Sequence, residues 1–276
     1  MPDKFASILQ NTRRLSPLIH CITNYVTAND TANLLLASGA RPIMADDPME
    51  VEQVVSQSCG LTINIGTLNS RTAQSMLLAG KRANALKLPV VIDPVGAGSS
   101  EFRTSTAKML VSTLNVSALR ANMSEIKAVL GAGGSANGVD AAAADSVDES
   151  NLDDSVSFLK QKAREAGMIL AATGAIDLVA DGNKCYVIKN GRPEMVRVTG
   201  TGCQLSALCC AFMAANKQSP LEAAAAAVSA MGLAGEIALS RMQNGDGNNA
   251  LRGYIIDAIY NLTPDKLLEG TKYEIR

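Results

Sequence analysis

Short apolar runs alternate along this chain with longer stretches whose apolar positions recur every three or four residues. The first habit predicts buried strands and the second predicts amphipathic helices. Residues 3–14 predict a helix and 17–23 a strand. Residues 27–38 predict a helix with Gly39 as its stop, and 41–45 a strand. Asp47-Pro48 is expected to open a helix to residue 58, with Val51, Val54 and Val55 on one face. A strand at 61–65, a helix at 69–87 and a short strand at 90–92 follow. Then come a helix at 101–114, a strand at 117–119 and a helix opened by Asn122.

Strand and helix thus alternate five times, the pattern of a parallel sheet with helices on its faces. Residues 131–150 are mostly Gly, Ala, Ser and Asp, and predict a low-complexity surface loop. Beyond it, 152–166 predicts a helix and 168–173 a strand. Residues 176–180 and 184–188 predict a hairpin around Asp181-Gly182. A strand-like run at 195–198 leads to helices at 203–216, 220–242 and 246–261. Neither a repeat nor a linker interrupts the pattern, so residues 1–276 read as a single domain.

The bulk numbers narrow the function. Hydrophobic residues make up 47% of the 276, enough for a large core, while aromatics are 3% with no Trp. The net charge of −1 has no basic face, which argues against nucleic acid and anionic membranes as partners. No apolar run reaches the roughly 20 residues of a membrane span and no leader is evident, so a cytoplasmic location is expected. Six cysteines without a C-x-x-C pair, beside a lone His20, suit free thiols rather than a zinc site or disulfides. His20 lies in an apolar run and reads as a core residue.

The stretch Val198-Thr199-Gly200-Thr201-Gly202-Cys203 carries the chemistry. Two glycines let the backbone turn tightly at the start of an apolar helix, whose unpaired N–H groups favour an anion. Cys203 sits in the first turn, where a lowered thiol pKa is expected. The plain alternative is a glycine turn with a buried cysteine. In an open α/β sheet, ligands bind at the carboxyl ends of strands. Thr23-Asn24, Gly66-Thr67, Asp93, Arg120-Ala121-Asn122 and Thr173-Gly174 all fall at such ends, so they should converge there. Asp93 suits a Mg²⁺ ion near phosphates, or an Asx turn before Gly96 and Gly98. Asn122 and Glu125 suit a capping box, or a nucleotide contact and a metal ligand beside a phosphate-binding Arg120.

Taken in order, several motifs resemble the hydroxyethylthiazole kinases, a ribokinase-like family. They are His20-x-x-Thr23-Asn24-x-Val26 with Ala32-Asn33, Pro42-Ile43-Met44-Ala45, Asn64-Ile65-Gly66-Thr67-Leu68, Val91-Ile92-Asp93-Pro94-Val95-Gly96-Ala97, Arg120-x-Asn122-x-Ser124-Glu125 and the glycine stretch ending at Cys203. The resemblance implies an α/β, ribokinase-like fold with a mainly parallel central sheet flanked by helices on both faces. It implies ATP-dependent phosphorylation of 4-methyl-5-(2-hydroxyethyl)thiazole with Mg²⁺, by a homotrimer whose active sites lie at subunit interfaces. It assigns Asn24, Val26, Met44, Gly66 and Gly200 to the thiazole alcohol, and Arg120, Asn122, Thr173 and Gly202 to ATP. Asp93 and Glu125 fall on the metal side, and Cys203 stands where most relatives in the superfamily carry an aspartate base.

The 131–150 loop is longer and more polar than that family requires. Three other readings stay open. One is a sister kinase acting on hydroxymethylpyrimidine or pyridoxal. Another is a nucleotide-dependent dehydratase of hydrated nicotinamide nucleotides. The third is a silent small-molecule binder.

Overall fold

A computed structural model describes residues 3–131 and 146–276. Its centre is a nine-stranded sheet in the order β2-β1-β3-β4-β5-β6-β7-β8-β9. The strands are β1 (Leu18–Ile22), β2 (Arg41–Met44), β3 (Gly60–Asn64), β4 (Val90–Asp93), β5 (Ala118–Ala121), β6 (Ile169–Ala172), β7 (Asp177–Ala180), β8 (Cys185–Ile188) and β9 (Tyr273–Ile275). Pairings from β2 through β6 are parallel, and those of β6 through β9 are antiparallel. The mainly parallel sheet is therefore as expected, and the antiparallel extension holds the expected hairpin.

The strands read as continuous apolar runs because both faces are covered. Along β4, Val91 packs into one core while Val90 and Ile92 pack into the other. Beneath the first face lie α1 (Asp3–Leu15), α2 (Ala28–Ser38), α8 (Thr201–Ala215), α9 (Pro220–Ser240), α10 (Asn248–Tyr260) and α11 (Pro264–Gly270). The second face carries α3 (Val51–Ser56), α4 (Ser70–Ala85), α5 (Glu101–Thr113), α6 (Met123–Leu130) and α7 (Leu152–Ala166).

Helix α8 is buried on every side from Gln204 to Ala214, so it forms the middle of the first core. A Cβ on Gly60 would sit 2.8 Å from Cys210 Sγ, so β3 runs hard against this helix. Helix α9 spans 21 residues, ending two short of the expected 242, and is apolar enough by length and composition to cross a membrane, but 78% of its apolar stretch is buried inside the fold.

Several expectations needed correction. The helix expected from Asp47 begins only at Val51. Asp47 Oδ1 accepts the Met49 N–H at 2.9 Å, an Asx turn that holds residues 47–50 outside the helix. The 195–198 run is not a strand. Pro193 opens a 3-10 helix over Pro193–Arg197, which turns Val196 out to 86% exposure while Val198 enters the first core and Met195 packs against it. Helix α11 and strand β9 were not foreseen. Strand β9 is pinned by a ring cluster in which Tyr273 lies 5.0 Å from Phe5 and 5.4 Å from Tyr186. Most of the 131–150 loop lies outside the described residues.

Candidate active site

The parallel strand order reverses direction between β1 and β3, since β1 leads outward to β2 on one side and β3 starts the other side. Such a switch point opens a crevice at the carboxyl ends of the strands. Asn24 follows β1, Asn64 ends β3, Asp93 ends β4, Arg120 lies in β5, and Thr173 follows β6. Helix α8 points its N-terminus at the same crevice.

Gly200 is the N-cap of α8 at φ +87, the left-handed region that glycine enters without strain. A Cβ there would land on the Thr27 side chain, 2.9 Å from Thr27 Cβ. Among the described residues no side chain caps this helix start, so its first N–H groups stay open for an anion. A Cβ on Gly202 would sit 2.5 Å from Arg120 Nη1 and 2.8 Å from Nη2, so the guanidinium lies directly over this turn. Backbone donors and a fixed cation therefore face one small volume.

Cys203 is partly buried beside Asn24, whose Nδ2 donates to its Sγ at 3.2 Å. Its acidity corrects the sequence expectation. Burial pushes the Cys203 thiol up and the Asp93 charge adds to that, against opposing hydrogen bonds from Asn64, Thr27 and Asn24. Its place at the helix start does not leave this thiol acidic, and burial is the largest cause.

Asp93 is fully buried. Its Oδ2 accepts from Ser206 Oγ at 2.7 Å and Asn64 Nδ2 at 2.9 Å, and Arg120 Nη1 lies 3.4 Å away. Among the described residues Oδ1 is buried without a hydrogen-bond partner. Burial pushes the Asp93 carboxyl up, while Arg120, Ser206 and Asn64 pull it back. For Arg120, burial works downward, but Asp93 and Glu125 prevail and hold the guanidinium above its ordinary value. These directions pull against each other. Three donors on one oxygen favour the ionised pair. Arg120 Nη2 also donates to Thr173 Oγ1 at 2.5 Å, which ties β5 to the end of β6.

Asn122 and Glu125 do form the capping box. Asn122 Oδ1 accepts the Glu125 N–H at 2.8 Å, and Glu125 Oε2 accepts the Asn122 N–H at 3.0 Å. Glu125 Oε1 further accepts the Gly96 N–H at 2.8 Å, anchoring the glycine loop after Asp93. Burial raises the Glu125 pKa, opposed by these two N–H groups. Among the described residues no three His, Cys, Asp or Glu side chains stand together as a metal cage. The orphaned Asp93 Oδ1 and nearby Glu125 fit an ion that a nucleotide's phosphates and water would mostly ligate.

Met44 lines a cavity of 290 Å³ with Tyr25, Thr67, Asn64 and Asp46, at the switch point. Asn24 closes on Gly66, where a Cβ would sit 2.9 Å from Asn24 Nδ2. Val26 is 58% exposed and lies outside that cavity's lining. A larger hollow of 760 Å³, between Lys87, Ser117 and Pro220, opens at the opposite ends of the strands and shares no residue with the crevice. His20 is a core residue, with Nε2 2.8 Å from Ala45 O.

Sequence reasoning assigned no role to Asn64, Ser206 or Arg103. Asn64 is the register partner of Asp93, and Ser206 lies one turn along α8 from Gly202 and Cys203. Both positions were readable as polar residues in apolar elements. Arg103 donates to the carbonyls of Ile65, Val95 and Gly66, which ties two crevice loops together. Nothing in its helical surroundings signals that.

Comparison with known proteins accords with this geometry. The sequence model of the hydroxyethylthiazole kinase family matches residues 9–265. A hydroxyethylthiazole kinase of Clostridium acetobutylicum is 51% identical over 266 residues, covering 96% of this chain and 97% of that protein. The solved structure of a hydroxyethylthiazole kinase from Pyrococcus horikoshii superposes with a TM-score of 0.87 at 34% identity, covering 99% of this chain and 98% of that one. A ribokinase-like superfamily protein of Enterococcus faecalis shares the fold, with a TM-score of 0.64 at 11% identity over 91% of this chain and 88% of that one. With its ribokinase-like sheet and its motifs in order along the chain, this protein belongs to the hydroxyethylthiazole kinase family.

Proposed function

We propose that this chain transfers the γ-phosphoryl group of ATP to the primary hydroxyl of 4-methyl-5-(2-hydroxyethyl)thiazole, giving the phosphate ester and ADP. The observation that carries the reading is the meeting of Arg120, the open N-terminus of α8 and Cys203 at one crevice. Phosphoryl transfer needs positioning and charge stabilisation more than covalent chemistry. The N–H groups of Thr201, Gly202 and Cys203, with Arg120, stabilise charge on the transferring group. Thr173 holds Arg120 in place, and Asn122 orders the adjoining turn beside the nucleotide.

Asn24, Val26, Met44, Gly66 and Gly200 bound the thiazole side. The sulfur of Cys203 is the proton acceptor for the attacking hydroxyl. Its raised pKa keeps that help small, which a loose transition state tolerates. Mg²⁺, held by Asp93 and Glu125 through water and by the phosphates, would neutralise phosphate charge.

The exposed Tyr25, Val26, Met44 and Met49 near this crevice support a homotrimer with the active site at the subunit interface. Free thiols fit a cytoplasmic setting. The test is ADP formation with the thiazole alcohol, beside hydroxymethylpyrimidine, pyridoxal and hydrated NADH. Turnover of the thiazole alcohol above the others is expected, and a preference for any other substrate would overturn the assignment. Light scattering at 28.8 kDa, the mass of one chain, would overturn the shared-site arrangement.

A further inference from the structure

Two buried amides join the Cys203 sulfur to the Asp93 carboxylate, and the direction of every hydrogen bond between them is fixed. The Thr27 backbone N–H donates to Asn24 Oδ1 at 3.0 Å, as does Thr27 Oγ1. A backbone N–H can only donate, so the Asn24 Nδ2 has to face the other way. There it donates to Asn64 Oδ1 at 2.9 Å and to Cys203 Sγ at 3.2 Å. The Gly66 N–H donates to Asn64 Oδ1 at 2.9 Å, which fixes the second amide in the same manner. Asn64 Nδ2 then donates to Asp93 Oδ2 at 2.9 Å. Asn24 and Asn64 are 4% and 1% exposed, so water does not substitute for these partners.

We propose that Asn64 is a positioning residue for the phosphoryl-transfer step, holding the Asn24 amide so that its N–H faces the Cys203 sulfur. This rests on the reading of Cys203 as proton acceptor. With a donor against it on the Asn24 side, the sulfur directs its remaining lone pair, or its S–H when protonated, toward the crevice and the substrate hydroxyl. Asn64 does this from the end of β3, at the wall of the Met44 cavity. It also couples the sulfur to Asp93, so both ends of the site take their orientation from one amide. Without Asn64 Oδ1, the Asn24 Nδ2 keeps only the sulfur as partner, and the amide is free to swing about Thr27.

The test is Asn64→Ala in the full chain, with ADP release measured against both substrates. A kcat lowered on the order of tenfold or more is expected, with KM for ATP within about twofold of wild type, since the variant loses the Asn64 bonds to Asn24, Gly66 and Asp93 together. A merely structural role would not alter the sulfur. Iodoacetamide labelling of Cys203 at pH 8, read by peptide mass, is expected to slow about threefold or more, because the sulfur loses an ordered donor.

On a Cys203→Ala background, Asn64→Ala is expected to change kcat by less than about twofold, the non-additivity of residues acting through one another. Unaltered labelling, or a full tenfold loss on that background, would overturn the proposal. If Cys203→Ala alone keeps wild-type turnover, the proton-acceptor reading fails. The labelling rate then decides the amide orientation by itself. Asn64→Ser, with the same expectations at smaller size, replaces the alanine variant if that chain does not fold.

Discussion

Gly200→Ala separates two costs that the structure places at one residue. The backbone at Gly200 has φ +87, where a Cβ costs about 1–2 kcal/mol. The added methyl would also land on the Thr27 side chain, and forcing a methyl into a packed site costs roughly 1–3 kcal/mol. Together these give about 2–5 kcal/mol. At about 2 °C per kcal/mol for a chain of this size, the melting temperature should fall by roughly 4–10 °C.

Gly167 supplies the control, because it has φ +64 and a Cβ added there meets nothing within 4 Å. Gly167→Ala should therefore carry the backbone cost alone, a fall of roughly 2–4 °C. Displacing Thr27 also releases Asn24 Oδ1, which Thr27 holds through two hydrogen bonds. Turnover of Gly200→Ala should drop on the order of tenfold or more, while Gly167→Ala keeps wild-type kcat. Thermal melts and ADP-release assays on the two variants make the comparison. Equal melting temperatures together with unchanged turnover in Gly200→Ala would refute the tight contact with Thr27.

Asp93→Asn should cost about 3 kcal/mol or more by leaving the buried Arg120 charge unpaired, read from urea midpoints. It should also lower kcat more than it raises KM for the thiazole alcohol. Glu125→Gln should do the same to kcat more mildly, and an unchanged kcat in both, at matched Mg²⁺, removes the metal-side assignment. Cys203→Ala should slow turnover by about 10²-fold or less, the low end of base assistance, and leave ATP binding intact. Cys203→Asp should keep or raise activity, and a folded, ATP-competent but dead Asp variant would refute the proton-acceptor role. Cys209 and Cys210 are buried with thiols pushed up to about 12 from 9.0, so their contribution to stability is complete below pH 9 and is lost as pH rises toward 12. Urea midpoints should therefore fall above pH 9 by less in a Cys209→Ala, Cys210→Ala double variant than in wild type.

The parts of this molecule that sequence exposes are those whose cause is local. The apolar runs that became β1 through β6 are buried on both faces, so their composition alone marks them. Gly200 and the small apolar residues after it mark a helix start because backbone geometry demands glycine there. Strand β9 escaped notice because three residues, Tyr273–Ile275, form a strand only by pairing with β8. Pro193 and the Asp47 side chain redirected two apolar runs through turns that hydrophobic periodicity does not register. Within the site, the residue types at strand ends were legible, but their state was not. The acidity of Cys203 depends on burial, and the link from Asn24 to Asn64 spans 40 positions. Position 64 was readable as a polar strand end, whereas its orienting of Asn24 is a property of the assembled crevice.

The burial of α8 gives the amides of this protein two widely separated clocks. From Gln204 to Ala214 the helix is enclosed by other elements, so those N–H groups exchange with deuterium only when the core itself opens. The N–H groups of Thr201, Gly202 and Cys203 precede the first intrahelical donor, Gln204, and face the crevice, so they exchange without any such opening. An anion seated there protects them directly. Deuterium uptake at three adjacent amides then reports phosphate occupancy against a static background, and the rest of the same helix serves as its internal reference.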